Sequence, residues 1–150
     1  MFYSFGIEWD ITKANDAELD ELAAWIDWYK TNRDLLHSGR SVRLDVPDPA
    51  VLGYGVVAED RSRAIIAHVQ YEESQTNRGV YLRVPGLDPA AEYTLKWTGP
   101  EPPSASLESL DAFGPMGETK ATGRYLATVG IRFPRCRPET IRLVDIVREQ

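Results

Sequence analysis

Two polarity regimes follow one another along this chain. Over residues 15–40 apolar side chains recur at helical spacing, and from residue 41 onward they alternate with polar ones or gather in short runs broken by Pro and Gly. Asn15 followed three residues later by Glu18 is an N-cap with a capping-box partner, and Gly39 suits the position just past a helix C-terminus. The spacing therefore predicts a helix from about Asp16 to His37. Asp16, Glu18, Asp20 and Glu21 come early while Lys30 and Arg33 come late, the order that the helix dipole favours. At 100° per residue, Asp16, Asp20, Asp27 and Asp34 share one stripe. Leu19, Leu22, Ala23, Trp25, Ile26, Trp28, Tyr29, Leu35 and Leu36 spread over an arc of about 240°. One contact surface needs less. Two arrangements fit: a helix packed on two sides between neighbouring units, or the central helix of a small α+β domain.

Before the helix, residues 2–11 read as a short strand. After it the pattern is β. Ser41 to Asp45 alternates, and Val51 to Ala58 and Ala64 to Tyr71 are apolar runs joined by a polar hairpin loop over 59–63. Gly53-Tyr54-Gly55 inside the first run marks a bulge or a close backbone approach. Gly79 to Val84 and Tyr93 to Thr98 form a further strand pair around the turn-rich 85–89. Residues 99–121 read as a long loop with at most one short strand or turn, and Gly123 to Phe133 and Thr140 to Val147 close the chain as strands. The predicted fold is mainly β: an antiparallel sandwich of Greek-key or immunoglobulin-like type over 41–150, preceded by one strand and one long amphipathic helix over 1–40. Gly86-Leu87-Asp88-Pro89, followed by Tyr93, has the spacing of a tyrosine corner, in which a Tyr hydroxyl bonds back to nearby backbone.

Composition narrows the function. The chain has 150 residues, 43% apolar, with four Trp; that is enough for a core and too few for an eight-stranded βα barrel, which takes roughly 200 or more. A net charge of −6 repels phosphate backbones and argues against nucleic-acid partners. No apolar run approaches the ~18 residues of a membrane span. Cys136 is the only cysteine; Arg135 and Arg137 beside it would favour a reactive thiolate, yet a bystander thiol is the preferred reading. With no basic start, long apolar stretch or small-residue cleavage site near Met1, the expected location is cytoplasmic. His37 and His68 are the only histidines, and no cluster has metal-ligand spacing, so neither metal nor cofactor is expected. His68, between Ala67 and Val69, reads as a half-buried sheet residue.

Glu8 and Asp10 are the nearest approach to a carboxylate pair. Two apart on a strand they would lie roughly 6–7 Å apart on one face, a spacing that glycosidase chemistry tolerates. Adjacent residues on a terminal strand are nonetheless poorly placed to enclose a sugar from two sides, so no catalytic residue is assigned. Glu8, Trp9 and Asp10 stand as weak substrate-binding candidates. Trp9, Trp25, Trp28, Trp97, Tyr54 and Tyr71 keep open a carbohydrate-binding module built on exposed aromatics, and a plain immunoglobulin-like interaction domain is a third reading.

The run Phe5-Gly6-Ile7-Glu8-Trp9-Asp10, a helix closing on Tyr29-Lys30, and the link Leu35-Leu36-His37-Ser38-Gly39-Arg40 resemble, in that order, the end of the catalytic barrel in retaining α-galactosidases of glycoside hydrolase family thirty-six. The tail domains of that family carry a similar Pro-Gly-Leu-Asp-Pro…Tyr run, which here extends from Pro85 to Tyr93. The resemblance implies that 1–40 is the last strand and helix of a barrel and that 41–150 is a C-terminal β-domain. It places the two catalytic aspartates upstream of this sequence. Glu8, Trp9 and Asp10 would then line the barrel mouth, the upstream barrel would be the partner, and a seam through Trp25, Trp28 and Tyr29 would drive self-association of the chain alone.

Overall fold

A computed structural model describes residues 5–8, 10–76, 78–100 and 118–150. Helix α1, Asp16–Ser38, begins with the expected capping box: the Asn15 side chain accepts from the Glu18 N–H at 3.0 Å, and the Glu18 carboxylate accepts from the Asn15 N–H at 2.9 Å. Strands β1 (Arg40–Leu44), β2 (Val51–Val57), β3 (Arg63–Gln70), β4 (Val80–Leu82), β5 (Glu92–Thr98) and β6 (Glu118–Thr122) follow. Then come a short helix α2 (Gly123–Thr128), β7 (Ile131–Phe133) and β8 (Thr140–Arg148). One antiparallel sheet has the order β1-β2-β3-β8-β5-β6, and β4 pairs with β7 in a second. Among the described residues the sandwich is therefore divided six to two, unlike the near-equal sheets of an immunoglobulin domain.

Strand alternation sorts the large sheet's side chains. One face sends Leu44, Ile66, Leu95, Val144 and Ile146 into a core closed by Leu82, Val84, Leu126 and Phe133 from the small sheet, its loop and α2. The other face sends Val56, Ile65, Ala67 and Leu143 against Leu36 of α1. With both faces covered, β3 is buried along nearly its whole length, and its sequence reads as a continuous apolar run rather than an alternating one.

The tyrosine corner is present. The Tyr93 hydroxyl accepts from the Asp88 N–H at 3.0 Å and donates to the Arg61 carbonyl at 2.8 Å, tying the 85–91 loop to the β2–β3 hairpin. This tie belongs to a sheet-to-sheet crossing, so β4 and β5 do not pair with each other as expected. β4 joins β7, and β5 lies between β8 and β6. The expected strand from Gly123 to Phe133 is instead α2 followed by β7. Gly123, Leu126 and Gly130 are the buried positions of 123–130, a helical i, i+3, i+7 spacing. The Thr122 hydroxyl caps the helix by accepting from the Tyr125 N–H at 3.2 Å, and Gly130, at φ +93°, turns the chain into β7.

Gly39 ends α1 for a different reason from the one anticipated. Its φ of −78° is not left-handed; a Cβ there would sit 2.4 Å from Val56 Cγ1 and 2.9 Å from the Val57 carbonyl, so the residue is small because the end of α1 lies directly on β2. Gly53 and Gly55 likewise mark close approach and not a bulge, since both ladders of β2 run without interruption. In the opening segment, residues 5–8 and 10 lie in no strand, because none of the described residues offers them a ladder; Ile11–Lys13 forms a 3-10 turn instead. Of the expected loop, 118–121 belong to β6 and 101–117 lie outside the described residues.

His68 is fully buried, not half-buried. Its ring stacks on Phe133 with centroids 4.9 Å apart and planes 6° from parallel, and Arg142 lies directly opposite on β8. Burial first, and then the Arg142 charge, push its pKa down from 6.5 to about 4 against a weaker opposing pull from Asp48. Well above pH 6.5 the imidazole is neutral in both folded and unfolded chains. Between 6.5 and about 4 the unfolded chain takes up a proton that the folded one refuses. Stability therefore drops as the pH is lowered through that window, by about 3 kcal/mol at most. Urea unfolding at a series of pH values should show this slope, and His68→Leu should flatten it relative to the parent; an unchanged slope in the variant would refute the assignment.

Candidate functional site

The helix face and the opening segment carry the chemistry singled out in the sequence. α1 is fixed to the sheet by a polar clamp. Arg63 on β3 grips Asp145 on β8 through two bonds, Nε to Oδ1 at 2.8 Å and Nη2 to Oδ2 at 3.0 Å. The same Nη2 donates to Asn32 Oδ1 of α1 at 2.7 Å. Asn32 Nδ2 then donates to the Trp28 carbonyl at 2.7 Å, so both ends of its amide are used. A bidentate guanidinium–carboxylate pair supported by further hydrogen bonds is the arrangement in which buried charge is tolerated. Trp28 adds a second tie, Nε1 to the Thr98 hydroxyl at 2.8 Å, and Trp25 packs edge-on against Trp28 over Gly99.

Trp25, Trp28 and Tyr29 are thus half-buried and occupied within the chain. Tyr29 stacks on Phe5, ring centroids 5.4 Å apart, and its hydroxyl lies 2.7 Å from His37 Nε2. The part of the helical arc that remains uncovered lies farther round, on the first half of α1, where Leu19 is exposed and Leu22 and Ile26 are only half-buried. Ile7 and Ile11 of the opening segment are exposed as well. These are the apolar side chains that the helical end leaves exposed or half-exposed outside its contact with the sheet.

The carboxylate candidates do not share a strand face. Glu8 is exposed. Asp10 caps the 3-10 turn, accepting from the Thr12 hydroxyl at 2.6 Å and the Thr12 N–H at 3.1 Å. The Thr12 hydroxyl, then its N–H, hold the Asp10 carboxyl below the usual carboxylate range. Trp9 lies outside the described residues. No group of three or more His, Cys, Asp or Glu among the described residues is arranged to hold a metal ion. Sequence reasoning passed over Asn32, Arg63 and Asp145; the available signal was a lone Asn in the middle of the apolar arc.

A long helix thus lies on one side of the antiparallel sandwich, and exposed Ile7 and Ile11 stand in the segment that leads into it. The glycosyl hydrolase family 36 C-terminal domain matches residues 51–141, more than half of the sequence. The chain belongs to that family. The Escherichia coli α-galactosidase is 29% identical over 160 aligned residues, taking in 99% of this chain and 22% of the relative. α-Galactosidase AgaA of Geobacillus stearothermophilus is 31% identical over 100, covering 66% of the chain and 14% of the relative. The crystal structure of the Lactobacillus brevis α-galactosidase superposes on 95% of the chain with a TM-score of 0.73 at 23% identity, and the chain spans 18% of it. This family 36 tail domain therefore corresponds to about a fifth or less of each of those proteins, and the first alignment includes α1 and the opening segment.

The clamp is testable. Asp145→Ala leaves Arg63 with an unpaired, mostly buried charge and should destabilise the domain by about 2–4 kcal/mol, read from the urea midpoint. A loss below about 0.5 kcal/mol, the size of a solvent-screened pair, would show that the clamp does not hold the helix.

Proposed function

We propose that this chain is the C-terminal part of a larger α-galactosidase-like glycoside hydrolase, in which 1–40 completes a catalytic barrel and 41–150 is the accessory domain that closes against it. The observation that carries this reading is the pairing of an uncovered apolar helix face at Leu19 with an alignment that spans almost the whole chain yet a small share of an α-galactosidase. An amphipathic helix with apolar residues beyond its single contact surface needs a second one. The upstream barrel supplies it. Glu8, Trp9 and Asp10 then belong to the rim of the barrel mouth, where strand ends in such barrels meet substrate, and the parent removes terminal α-galactosyl groups. A cytoplasmic location fits a chain whose lone cysteine, Cys136, is buried and outside any disulfide.

The chain alone is expected to show no turnover of an aryl α-galactoside, since the proposal puts both catalytic carboxylates outside it. Hydrolysis that disappears on Glu8→Gln or Asp10→Asn would refute that. In the absence of a barrel a second copy takes its place on the same face, so the sedimentation coefficient should rise with concentration. Leu19→Asp with Ile26→Asp should return the chain to monomer. A parent that stays monomeric at every concentration would overturn this use of the face.

A further inference from the structure

Among the described residues the small sheet has two strands and the large one six, so these two strands do not cover the large sheet. Where the cover ends, residues of β4, β5, β6, α2 and β7 line a groove of about 490 Å³, within the roughly 300–1,000 Å³ typical of small-molecule sites. It lies on the face of the large sheet away from α1, since Leu95, Leu126 and Ile131 at its base belong to the core on that side. Its rim is aromatic and polar. Tyr81 and Tyr125 are 49% and 48% exposed, so both rings meet solvent along the same groove. Arg132 stands directly across the β4–β7 pair from Tyr81. Glu92 and Thr119 contribute an acceptor and a hydroxyl, while the ammonium of Lys120 is already held by Glu149 at 2.7 Å.

We propose that this groove binds a neutral saccharide. Tyrosine rings offer apolar faces of the size of a pyranose C–H face, and a carboxylate and a hydroxyl lining the same groove present acceptors and a donor to sugar hydroxyls. An anionic ligand is disfavoured: Glu92 shares the groove, the Lys120 charge is neutralised, and the whole chain carries a net charge of −6. A purely apolar ligand would leave the Glu92 and Thr119 groups desolvated without partners. The proposal does not rest on the barrel reading, because this groove lies on the face of the large sheet away from α1.

Titration of the isotope-labelled chain with raffinose, and separately with maltotriose, followed by amide chemical shifts, tests it. Saturable shifts at Tyr81, Thr119 to Thr122, Tyr125 and Arg132 are expected with at least one of them. Tyr81→Ala and Tyr125→Ala should each weaken binding about tenfold or more, and both substitutions lie at the surface, so far-ultraviolet dichroism should be unchanged. If a tyrosine variant unfolds, Glu92→Gln provides the same test. No saturable shift at about 20 mM of either sugar, shifts confined to α1, or binding that survives all three substitutions would overturn the proposal. So would inorganic phosphate reproducing the shifts when neither sugar does.

Discussion

Burial of the large sheet on both faces is the constraint from which the rest of this fold follows. β3 and β8 lie at its centre, and alternate residues of each enter two different cores. Every polar side chain on those strands must then find a partner or remain uncharged. The helix side meets this with Arg63, Asp145 and Asn32, a network that spans β3, β8 and α1. The opposite side meets it by holding His68 neutral against Phe133 and by setting the Arg142 guanidinium over the Trp97 ring, 5.2 Å from its centroid. One strand, β3, carries both solutions on its two faces. The clamp also sets register, since a one-residue slip of β3 against β8 would turn Arg63 into the other core and bring His68 under the helix.

Much of this is readable from the sequence where a local rule has no competitor. The capping box at Asn15 and Glu18, the runs of β2, β3, β5 and β8, and the Gly86 to Tyr93 corner each follow from spacing alone, and each is present. The errors fall where tertiary contact decides. A pairing of β4 with β5 is the natural guess for neighbours in sequence, but the Tyr93 hydroxyl reaches both Asp88 and Arg61 and so commits the connection to a crossing between sheets. At 123–130 the β-rich surroundings hide a helical period carried by two glycines and one leucine. Gly39 signals special backbone, and only packing shows that closeness, not a left-handed turn, requires it; at Gly53 and Gly55 packing decides between the two sequence readings in favour of close approach.

The site is less legible than the fold. Glu8 and Asp10 stand out as a carboxylate pair because a strand would align them, and the strand is not there among the described residues. Asp10 commits its carboxylate to Thr12. The aromatic residues of the helix suggest an exposed seam, whereas the sheet and Phe5 occupy them. Tyr81 and Tyr125, which line the groove, carry no signal in the sequence, since a tyrosine in a short strand and another in a short helix resemble core residues until the unequal size of the two sheets is known.

That inequality links the two surfaces. A two-stranded cover leaves the β5–β6 end of the core face open, and a single helix leaves part of its own arc open on the other side. The two openings differ in kind. On α1 the apolar side chains left uncovered or half-covered are the aliphatic Leu19, Leu22 and Ile26, and exposed Ile7 and Ile11 precede them along the chain; such groups gain free energy by excluding water against another protein surface. Beside the small sheet they are tyrosines among charged and hydroxyl groups, which remain soluble when empty and can exchange water for a polar ligand. A domain that only closed against a barrel would need the first surface and not the second. The proposed attachment and the proposed sugar site thus rest on different chemistry, one on each face.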